Sequence, residues 1–255
     1  MSLRSAPPAG RRRRQGCRHV PQYPAPSATR PIPPTADVPD APPVDGPPAE
    51  AGTDPGARHA LRRTLKKRRE AVNGRLGRLA SRRLARRLIR LPAIRRARHV
   101  ALYLPVGGEI DPTPLIDWLQ ARGACVYLPV LRPLVENRLW FVRLRKDTQL
   151  VLNRFRIAEP ALRQSAERHR RIAPWALDAV LMPLVGFDRQ GHRMGMGGGF
   201  YDRTFAFVRR PAGPRPVLIG AAHACQEVNA LPPQAWDIDL DAVVTDRATF
   251  FPARR

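Results

Sequence analysis

The sequence predicts an α/β fold of three layers, α/β/α, in which helices cover both faces of a mostly parallel central sheet. Short apolar runs typical of buried strands alternate along the chain with segments whose apolar residues recur at helical spacing. Strands separated by helical segments indicate a layered domain with a mostly parallel sheet. A proline-rich and arginine-rich N-terminal segment lacks both patterns. We therefore expect a disordered tail followed by one α/β domain.

The predicted tail covers residues 1–57 and holds 14 of the 29 prolines of the chain. It is also rich in Ala and Arg and poor in branched apolar residues. A segment of this composition cannot bury enough apolar surface to offset the conformational entropy that is lost on ordering. The sequence therefore places the start of the folded domain at Arg58 and predicts that the domain covers residues 58–255.

The domain is predicted to begin with a strongly basic helical segment. From 57 to 91 the apolar residues recur at helical spacing, which indicates one long helix or two helices broken near Gly74 and Gly77. Residues 58–98 carry 17 basic side chains against a single acid. Such a block is typical of a nucleic-acid-binding surface, and it is also typical of a solvated helix face. Only 3 of the 45 basic residues of the chain are lysines, and this general arginine bias favours the second interpretation.

The remaining elements alternate after Pro92, which ends the basic segment. Thr113 is the predicted N-cap of a short helix that Gly123 closes. The predicted strands are 100–104, 125–130, 139–144, 179–185, 217–221 and 242–245. The predicted helices are 114–122, a single turn at 175–178 and 201–208, whereas 153–160 has no clear period.

Several of these strands end in loops of unusual composition. Leu104 leads into the loop GGEID, Val185 leads directly into a glycine-rich loop, and Ala221 leads into HACQE. In open α/β sheets, ligands bind outside the carboxyl ends of the strands. We therefore expect a ligand site at this edge. A lone histidine at a strand end is more often structural, so His223 is left out of the predicted catalytic residues.

The glycine-rich loop, RMGMGGGFYDR from Arg193 to Arg203, is the most informative segment of the chain. Glycine at this density indicates close approach of the backbone to a ligand, or positive φ angles in a tight connection. Unpaired N–H groups at a helix start favour a phosphate. Phe200 stands where a dinucleotide-binding fingerprint requires glycine, and the loop also lacks the Gly-Lys pair of a Walker motif. Arg193 and Asp202 add a cation for phosphate oxygens and a carboxylate for a metal ion.

Cysteine spacing and hydropathy predict a cytoplasmic protein. Cys17, Cys125 and Cys225 are far apart and have no metal-binding spacing, which fits a reducing compartment. No apolar stretch approaches the length of a membrane span. The N-terminal segment lacks the apolar core of a secretory signal, and its prolines are incompatible with the amphipathic helix of an organelle transit peptide.

Several segments of the domain resemble the 5-formyltetrahydrofolate cyclo-ligase family, also called methenyltetrahydrofolate synthetase. The most specific is LMPLVGFDRQGHRMGMGGGFYDRTFA, which is followed by PVLIGAAHACQEVNALPPQAWDIDLDAVVTD. The segment ALYLPVGGEIDPTPLI and the basic start RHALRRTLKKRREAV extend the match over residues 58–250. The resemblance implies an ATP-dependent cyclisation of 5-formyltetrahydrofolate to 5,10-methenyltetrahydrofolate, with release of ADP and phosphate and with Mg²⁺ as the metal.

The resemblance also implies that the glycine loop holds the ATP phosphates together with a basic pair one helical turn apart. That pair falls on Arg58 and Arg62, which share one helix face. Met196 and Gly198 stand where many family members carry arginine and lysine, so we expect the cations to come from elsewhere in the chain. The implied ATP-binding residues are Arg58, Arg62, Arg193, Met194, Gly195, Met196, Gly197, Gly198, Gly199, Phe200 and Tyr201. The implied catalytic residues are Arg193, Tyr201 and Asp202.

Four residues are implied to contact the folate, namely Leu104, Glu109, Met196 and Phe200. Chemistry supports Glu109 independently, because a carboxylate accepts two hydrogen bonds from the donor edge of a pterin.

For Mg²⁺ the resemblance points to Asp202 and Asp241. A few oxygen ligands completed by phosphate and water are what Mg²⁺ accepts. Asp237 and Asp239 lie close enough in the sequence to remain alternatives to Asp241.

Two other functions remain open from the sequence. One is a basic nucleic-acid-binding protein on a degenerate ligase-like domain, which the block at 58–98 motivates. The other is a family relative that acts on a different acceptor. We expect a monomer whose partners are ATP and a folate.

Overall fold

The computed structural model describes residues 55–132, 137–162, 170–210 and 213–253. Nearly all of the predicted tail lies outside these ranges, and the domain boundary at Arg58 stays a prediction. The first helix begins at Pro55, just before that boundary. No helix in the described part of the chain is both long and apolar enough to cross a bilayer.

The basic segment forms helix α1 at Pro55–Ala71 and helix α2 at Gly74–Arg90, and the short helix α3 follows at Pro92–Arg96. The two-helix alternative is therefore the observed one. The break falls at Gly74, whose φ of 54° lies in the left-handed region that glycine adopts without strain. Gly77 lies within α2.

Twelve strands lie within the described ranges: β1 His99–Ala101, β2 Cys125–Leu131, β3 Leu139–Arg143, β4 Leu150–Leu152, β5 Ala158–Pro160, β6 Arg171–Ile172, β7 Ala179–Pro183, β8 Gly186–Phe187, β9 Arg193–Met194, β10 Val217–Ala222, β11 Ala242–Thr245 and β12 Thr249–Phe250. Eight form the central sheet, in the order β12-β11-β10-β7-β1-β2-β3-β6. The five strands from β11 to β2 are parallel, and β12, β3 and β6 extend the sheet in antiparallel pairing.

Both faces of this sheet are buried. Successive residues of β1 belong to different apolar clusters, Val100 to one and Ala101 to the other. The first cluster includes Leu84 and Leu88 of α2 and residues of α4, Ile116–Ala121. The second cluster includes Phe205 at the end of α5, Phe200–Phe205. The predicted α/β fold with a mostly parallel central sheet is thus confirmed.

Short helices differ from the prediction in length. The segment predicted as one helix at 114–122 begins as a 3₁₀ turn, Thr113–Leu115, before α4. Helix α5 likewise ends at Phe205 and continues as a 3₁₀ turn at Ala206–Arg209.

The glycine loop does not follow β7 directly, contrary to the prediction, because the hairpin β8–β9 intervenes. Gly191 supplies the left-handed φ of 91° that its turn needs. The Oδ1 atom of Asp188 accepts hydrogen bonds from the N–H groups of Gln190 and His192, both at 3.0 Å. The loop therefore begins at a rigid ribbon.

Candidate active site

Helix α1 lies across the loops that follow the carboxyl ends of β7 and β10. Gln226, in the loop after β10, donates through Nε2 to the carbonyl oxygens of Leu184 and Val185 at 2.8 and 3.0 Å. One apolar cluster joins α1 to these loops and consists of Leu61, Leu65, Val185, Met194, Val228 and Leu231. This packing directs the arginines of α1 at the predicted ligand edge.

A buried ion pair ties α1 to the loop after β1. The side chain of Arg69 is 1% exposed and that of Glu109 is 7% exposed, and Nη1 lies 3.5 Å from Oε1. Arg69 also donates to the Gly107 carbonyl oxygen through Nε at 3.0 Å and Nη2 at 2.7 Å. Nη1 further donates to the Leu184 carbonyl oxygen at 3.4 Å. All three guanidinium nitrogens therefore have partners.

Arg69 was absent from the predicted site. A signal for it exists in the sequence, because Leu61, Leu65 and Arg69 follow one another at four-residue spacing on one helix face. An arginine in line with a buried apolar stripe needs an acidic or carbonyl partner.

We expect Arg69→Met to lower the free energy of unfolding by roughly 3 kcal/mol, because the carbonyl oxygens of Gly107 and Leu184 lose a buried charged donor and Glu109 loses its cationic partner. Urea denaturation near neutral pH measures this change. The matched control is Arg63→Met on the exposed side of the same helix, which should stay within about 0.5 kcal/mol of wild type. Equal stability of the two variants would contradict a structural role for the ion pair.

Burial controls the ionisation of the groups around Glu109. It raises the pKa of Glu109 to about 7, against the opposing effects of Arg69 and the Val106 N–H. Burial, and then the charge of Glu109, raise the pKa of Tyr201 well above its usual range, while Arg193 lowers it. Tyr201 is therefore neutral, and it lies within electrostatic reach of both Glu109 and Arg193.

Arginines hold the glycine loop at several points. Arg193 is 5% exposed, and its Nη2 donates to Oδ1 of Asp202 at 2.5 Å. Nε of Arg62 donates to the Gly195 carbonyl oxygen at 2.9 Å. Nη1 of Arg203 donates to the Gly198 carbonyl oxygen at 2.8 Å. The structure thus brings together Arg62, Arg193 and Asp202 of the predicted residues.

Arg58 reaches a different loop from the same helix. Its Nη1 donates to the Pro232 carbonyl oxygen at 2.7 Å, and its Nη2 lies 3.7 Å from Oδ2 of Asp237. Burial raises the pKa of Asp237, and the charge of Asp202 adds to this rise, whereas Arg58 opposes it. The N–H of Ile238, the residue after Asp237, donates to Oδ1 of Asp202 at 3.3 Å, so Asp202 contacts the segment that carries Asp237.

Asp241 has different neighbours. Its Oδ1 contacts Nη2 of Arg215, and its Oδ2 accepts a hydrogen bond from the Leu218 N–H at 2.8 Å. Both contacts lie at the amino end of β10. Among the hydrogen bonds and ion pairs of the described residues, none joins Asp241 to Asp202 or to the glycine loop. The metal assignment to Asp241 stays a prediction.

The apolar folate candidates lie in three environments. Leu104 is partly buried against the core. Met196 is 53% exposed at the tip of the glycine loop. Phe200 packs edge-on against Phe155, with ring centroids 5.8 Å apart. Phe155 lies in a segment without periodicity, and no sequence signal marked it.

His223 is 3% exposed, and it forms a capping box with Gln226 at the 3₁₀ turn Ala224–Gln226. Burial lowers its pKa. The exclusion of His223 from the catalytic residues stays a prediction.

Fold and site together define an α/β enzyme in which an arginine-held glycine loop lies near a buried carboxylate at the carboxyl edge of a parallel sheet. Within that class the chain belongs to the 5-formyltetrahydrofolate cyclo-ligase family, whose sequence profile matches residues 55–246. It is an enzyme of this type, as the motifs predicted.

Known relatives support this membership. The 5-formyltetrahydrofolate cyclo-ligase of Escherichia coli (strain K12) is 39% identical over 186 residues, which cover 71% of this chain and 96% of that protein. The Haemophilus influenzae protein of the same name is 40% identical over 147 residues, covering 57% and 74%. The solved structure of Aquifex aeolicus 5,10-methenyltetrahydrofolate synthetase matches with a TM-score of 0.63 and 28% identity, covering 78% of this chain and 95% of that chain.

Proposed function

We propose that this enzyme converts 5-formyltetrahydrofolate to 5,10-methenyltetrahydrofolate with ATP, releasing ADP and phosphate. One observation carries the proposal. Helix α1 contacts both the glycine loop and the buried carboxylate: Nε of Arg62 donates to the Gly195 carbonyl oxygen at 2.9 Å, and Nη1 of Arg69 lies 3.5 Å from Oε1 of Glu109. A phosphate-binding loop and a folate-binding carboxylate would then be two walls of one site.

The proposed chemistry activates a poor electrophile. The formyl oxygen attacks the γ-phosphorus of ATP, and the bond from that phosphorus to ADP breaks. N10 then attacks the activated formyl carbon, the N10 proton is lost, and the carbon–oxygen bond breaks to release phosphate. Positioning and charge stabilisation accelerate such steps without a side-chain nucleophile.

The cations of this chain support phosphate binding. We assign the phosphates to the loop from Arg193 to Tyr201, and we assign Arg58 and Arg62 to its α1 side. Arg193 and Tyr201 would act at the transferred phosphoryl group. Arg193 contacts Asp202, and Tyr201 precedes Asp202 in the sequence. An arginine fixed by a carboxylate binds an anion without further loss of side-chain entropy.

The folate is assigned to the opposite wall. Glu109 would accept hydrogen bonds from N–H donors of the pterin, with Leu104, Met196 and Phe200 as its apolar neighbours. Because the Glu109 carboxyl is enclosed, it favours a ligand whose N–H groups donate the hydrogen bonds that water would otherwise donate.

Mg²⁺ fits this site as a partner of the ATP phosphates. Within the described ranges no group of three or more His, Cys, Asp or Glu side chains is arranged to hold a metal. In nucleotide sites, however, Mg²⁺ uses one or two carboxylates plus phosphate and water. We assign Asp202 as the first carboxylate, and Asp237 and Asp241 compete for the second position. When bound, Mg²⁺ would neutralise phosphate charge.

The decisive measurement is turnover by the full chain. With MgATP and 5-formyltetrahydrofolate we expect the near-ultraviolet absorbance of the methenyl product to rise in step with ADP release. ADP release with another acceptor alone would favour a relative with changed specificity. Folded protein that yields neither product nor ADP would overturn the proposal.

A second candidate function rests on the outward face of α2. Helix α2 contains no acidic residue. Its exposed arginines recur every three or four residues: Arg75, Arg78, Arg82, Arg86 and Arg90. Such a stripe attracts polyanions. Duplex DNA binding with a salt slope of about −0.9 per phosphate contact would support this function, whereas binding that vanishes near physiological salt would exclude it.

We also propose that residues 58–255 act as a monomer in the cytoplasm, without help from residues 1–57. Cys17, Cys125 and Cys225 lie far apart in the sequence, which is typical of a reducing compartment. A chain without residues 1–57 should keep the turnover of the full chain and sediment as a monomer.

A further inference from the structure

A cavity of about 500 Å³ lies on the outer side of α5, beside the glycine loop. Gly197 and Gly199 form one wall, and Asp202 and Arg203 contribute from α5. Arg209 and Trp236 also line the cavity. This volume is in the range of sites that enclose small ligands.

Trp236 is the unusual member of this lining. Its side chain is 62% exposed, which leaves a large apolar surface in water. The backbone beside it is fixed, because the Asp237 carbonyl oxygen accepts a hydrogen bond from Nη2 of Arg209 at 3.0 Å. Oδ2 of Asp237 also accepts one from the Gln234 N–H at 2.9 Å. An anchored, exposed indole is therefore presented to the cavity.

The other three tryptophans have their rings in contact with neighbours. The guanidinium of Arg122 lies 5.0 Å from the ring of Trp118. The guanidinium of Arg171 lies 4.1 Å from the ring of Trp140. Trp175 packs edge-on against Phe207 at 6.4 Å. Among the described residues, no comparable ring or cation contact involves Trp236. Its faces are available to a planar ligand.

We propose that Trp236 stacks on the purine base of the nucleotide whose phosphates the glycine loop holds. This inference rests on the proposed function and adds the base subsite to it. The cavity shares Gly197, Gly199 and Asp202 with the phosphate side, whereas Glu109 on the folate side does not line it. Arg203 and Arg209 add positive charge to the lining of the cavity. The aromatic face is thus assigned to ATP and not to the folate.

Calorimetric titration of the full chain tests the inference without turnover. The probes are MgADP, magnesium tripolyphosphate and 5-formyltetrahydrofolate. We expect Trp236→Ala to weaken ADP binding by about 10-fold or more and to leave tripolyphosphate and folate affinity unchanged. Trp236→Phe keeps a ring and should retain most of the ADP affinity. Trp175→Ala removes another exposed indole and should bind all three probes as wild type does.

Each alternative outcome has a separate meaning. Wild-type ADP affinity in Trp236→Ala overturns the base subsite and leaves the proposed ATP site intact. Weakened folate binding with unchanged ADP binding assigns the ring to the other substrate and also overturns it. Wild-type protein that binds neither ADP nor tripolyphosphate overturns the proposed function together with this inference.

Discussion

Replacing Glu109 with glutamine is expected to remove most of the activity towards 5-formyltetrahydrofolate at about pH 8 and to flatten the pH profile. Burial raises the pKa of Glu109 to about 7. The carboxyl is therefore largely neutral below that pH and ionised above it, and only the ionised form accepts hydrogen bonds through both oxygens. The wild-type kcat/KM for the folate should rise between about pH 6 and about pH 8.

The expected loss of kcat/KM in Glu109→Gln follows from the negative charge of the wild-type acceptor. A hydrogen bond to a charged group contributes about 1.5–3 kcal/mol, so the variant should lose roughly 10-fold to 100-fold in kcat/KM for the folate. Glutamine keeps the shape of the side chain and still offers Arg69 an oxygen. The KM for ATP should not change. Asp117→Asn, at an exposed acid of α4, is the control. An unchanged pH profile in Glu109→Gln would contradict a folate-binding carboxylate at this position.

The raised pKa of Glu109 affects stability in the direction opposite to its effect on activity. Between its ordinary value of 4.5 and about 7, Glu109 binds a proton in the native state but not in the unfolded state. The free energy of unfolding therefore falls as pH rises through that window. Glu109→Gln lacks this contribution, and urea titrations should show its stability gaining on wild type over the same range.

Much of the fold could be predicted from the sequence because buried parallel strands are apolar along their whole length. Val180, Leu181 and Met182 of β7 are fully buried, and the run was recognisable without structural information. The hairpin β4–β5 was not predicted, because Leu152 is 70% exposed and its strand lacks a buried face. Pairing with β5, rather than residue type, makes that segment a strand.

The candidate site shows the same division between local and distant contacts. Arg193 and Asp202 belong to one loop, and their ion pair connects two of the predicted residues. Arg69 and Glu109 are 40 residues apart, and although Arg69 continues the apolar stripe of Leu61 and Leu65, no local pattern identifies Glu109 as its partner. The pairing of Arg69 with Glu109 depends on how α1 packs over the loops, which composition does not reveal.

The largest loss of turnover is expected for Asp202→Asn, by about 100-fold or more, because one carboxylate orients Arg193 and is also the proposed Mg²⁺ ligand. Arg193 is nearly fully buried, so its guanidinium would lose a charged partner as well. Initial rates at several Mg²⁺ concentrations measure both effects. A wild-type rate with a wild-type Mg²⁺ requirement would contradict both roles of Asp202.

Initial rates at several Mg²⁺ concentrations also identify which aspartate is the second proposed Mg²⁺ ligand. The resemblance points to Asp241, but its two oxygens contact Arg215 and the Leu218 N–H, whereas Asp237 is within electrostatic reach of Asp202. We therefore expect Asp237→Asn to raise the Mg²⁺ concentration for half-maximal rate by about 10-fold. Asp241→Asn should leave that concentration unchanged and lower the free energy of unfolding by about 1 kcal/mol. The exposed Asp239 supplies the control, Asp239→Asn. The reverse pattern would return the metal to Asp241 and would require the Arg215 pair to open when nucleotide binds.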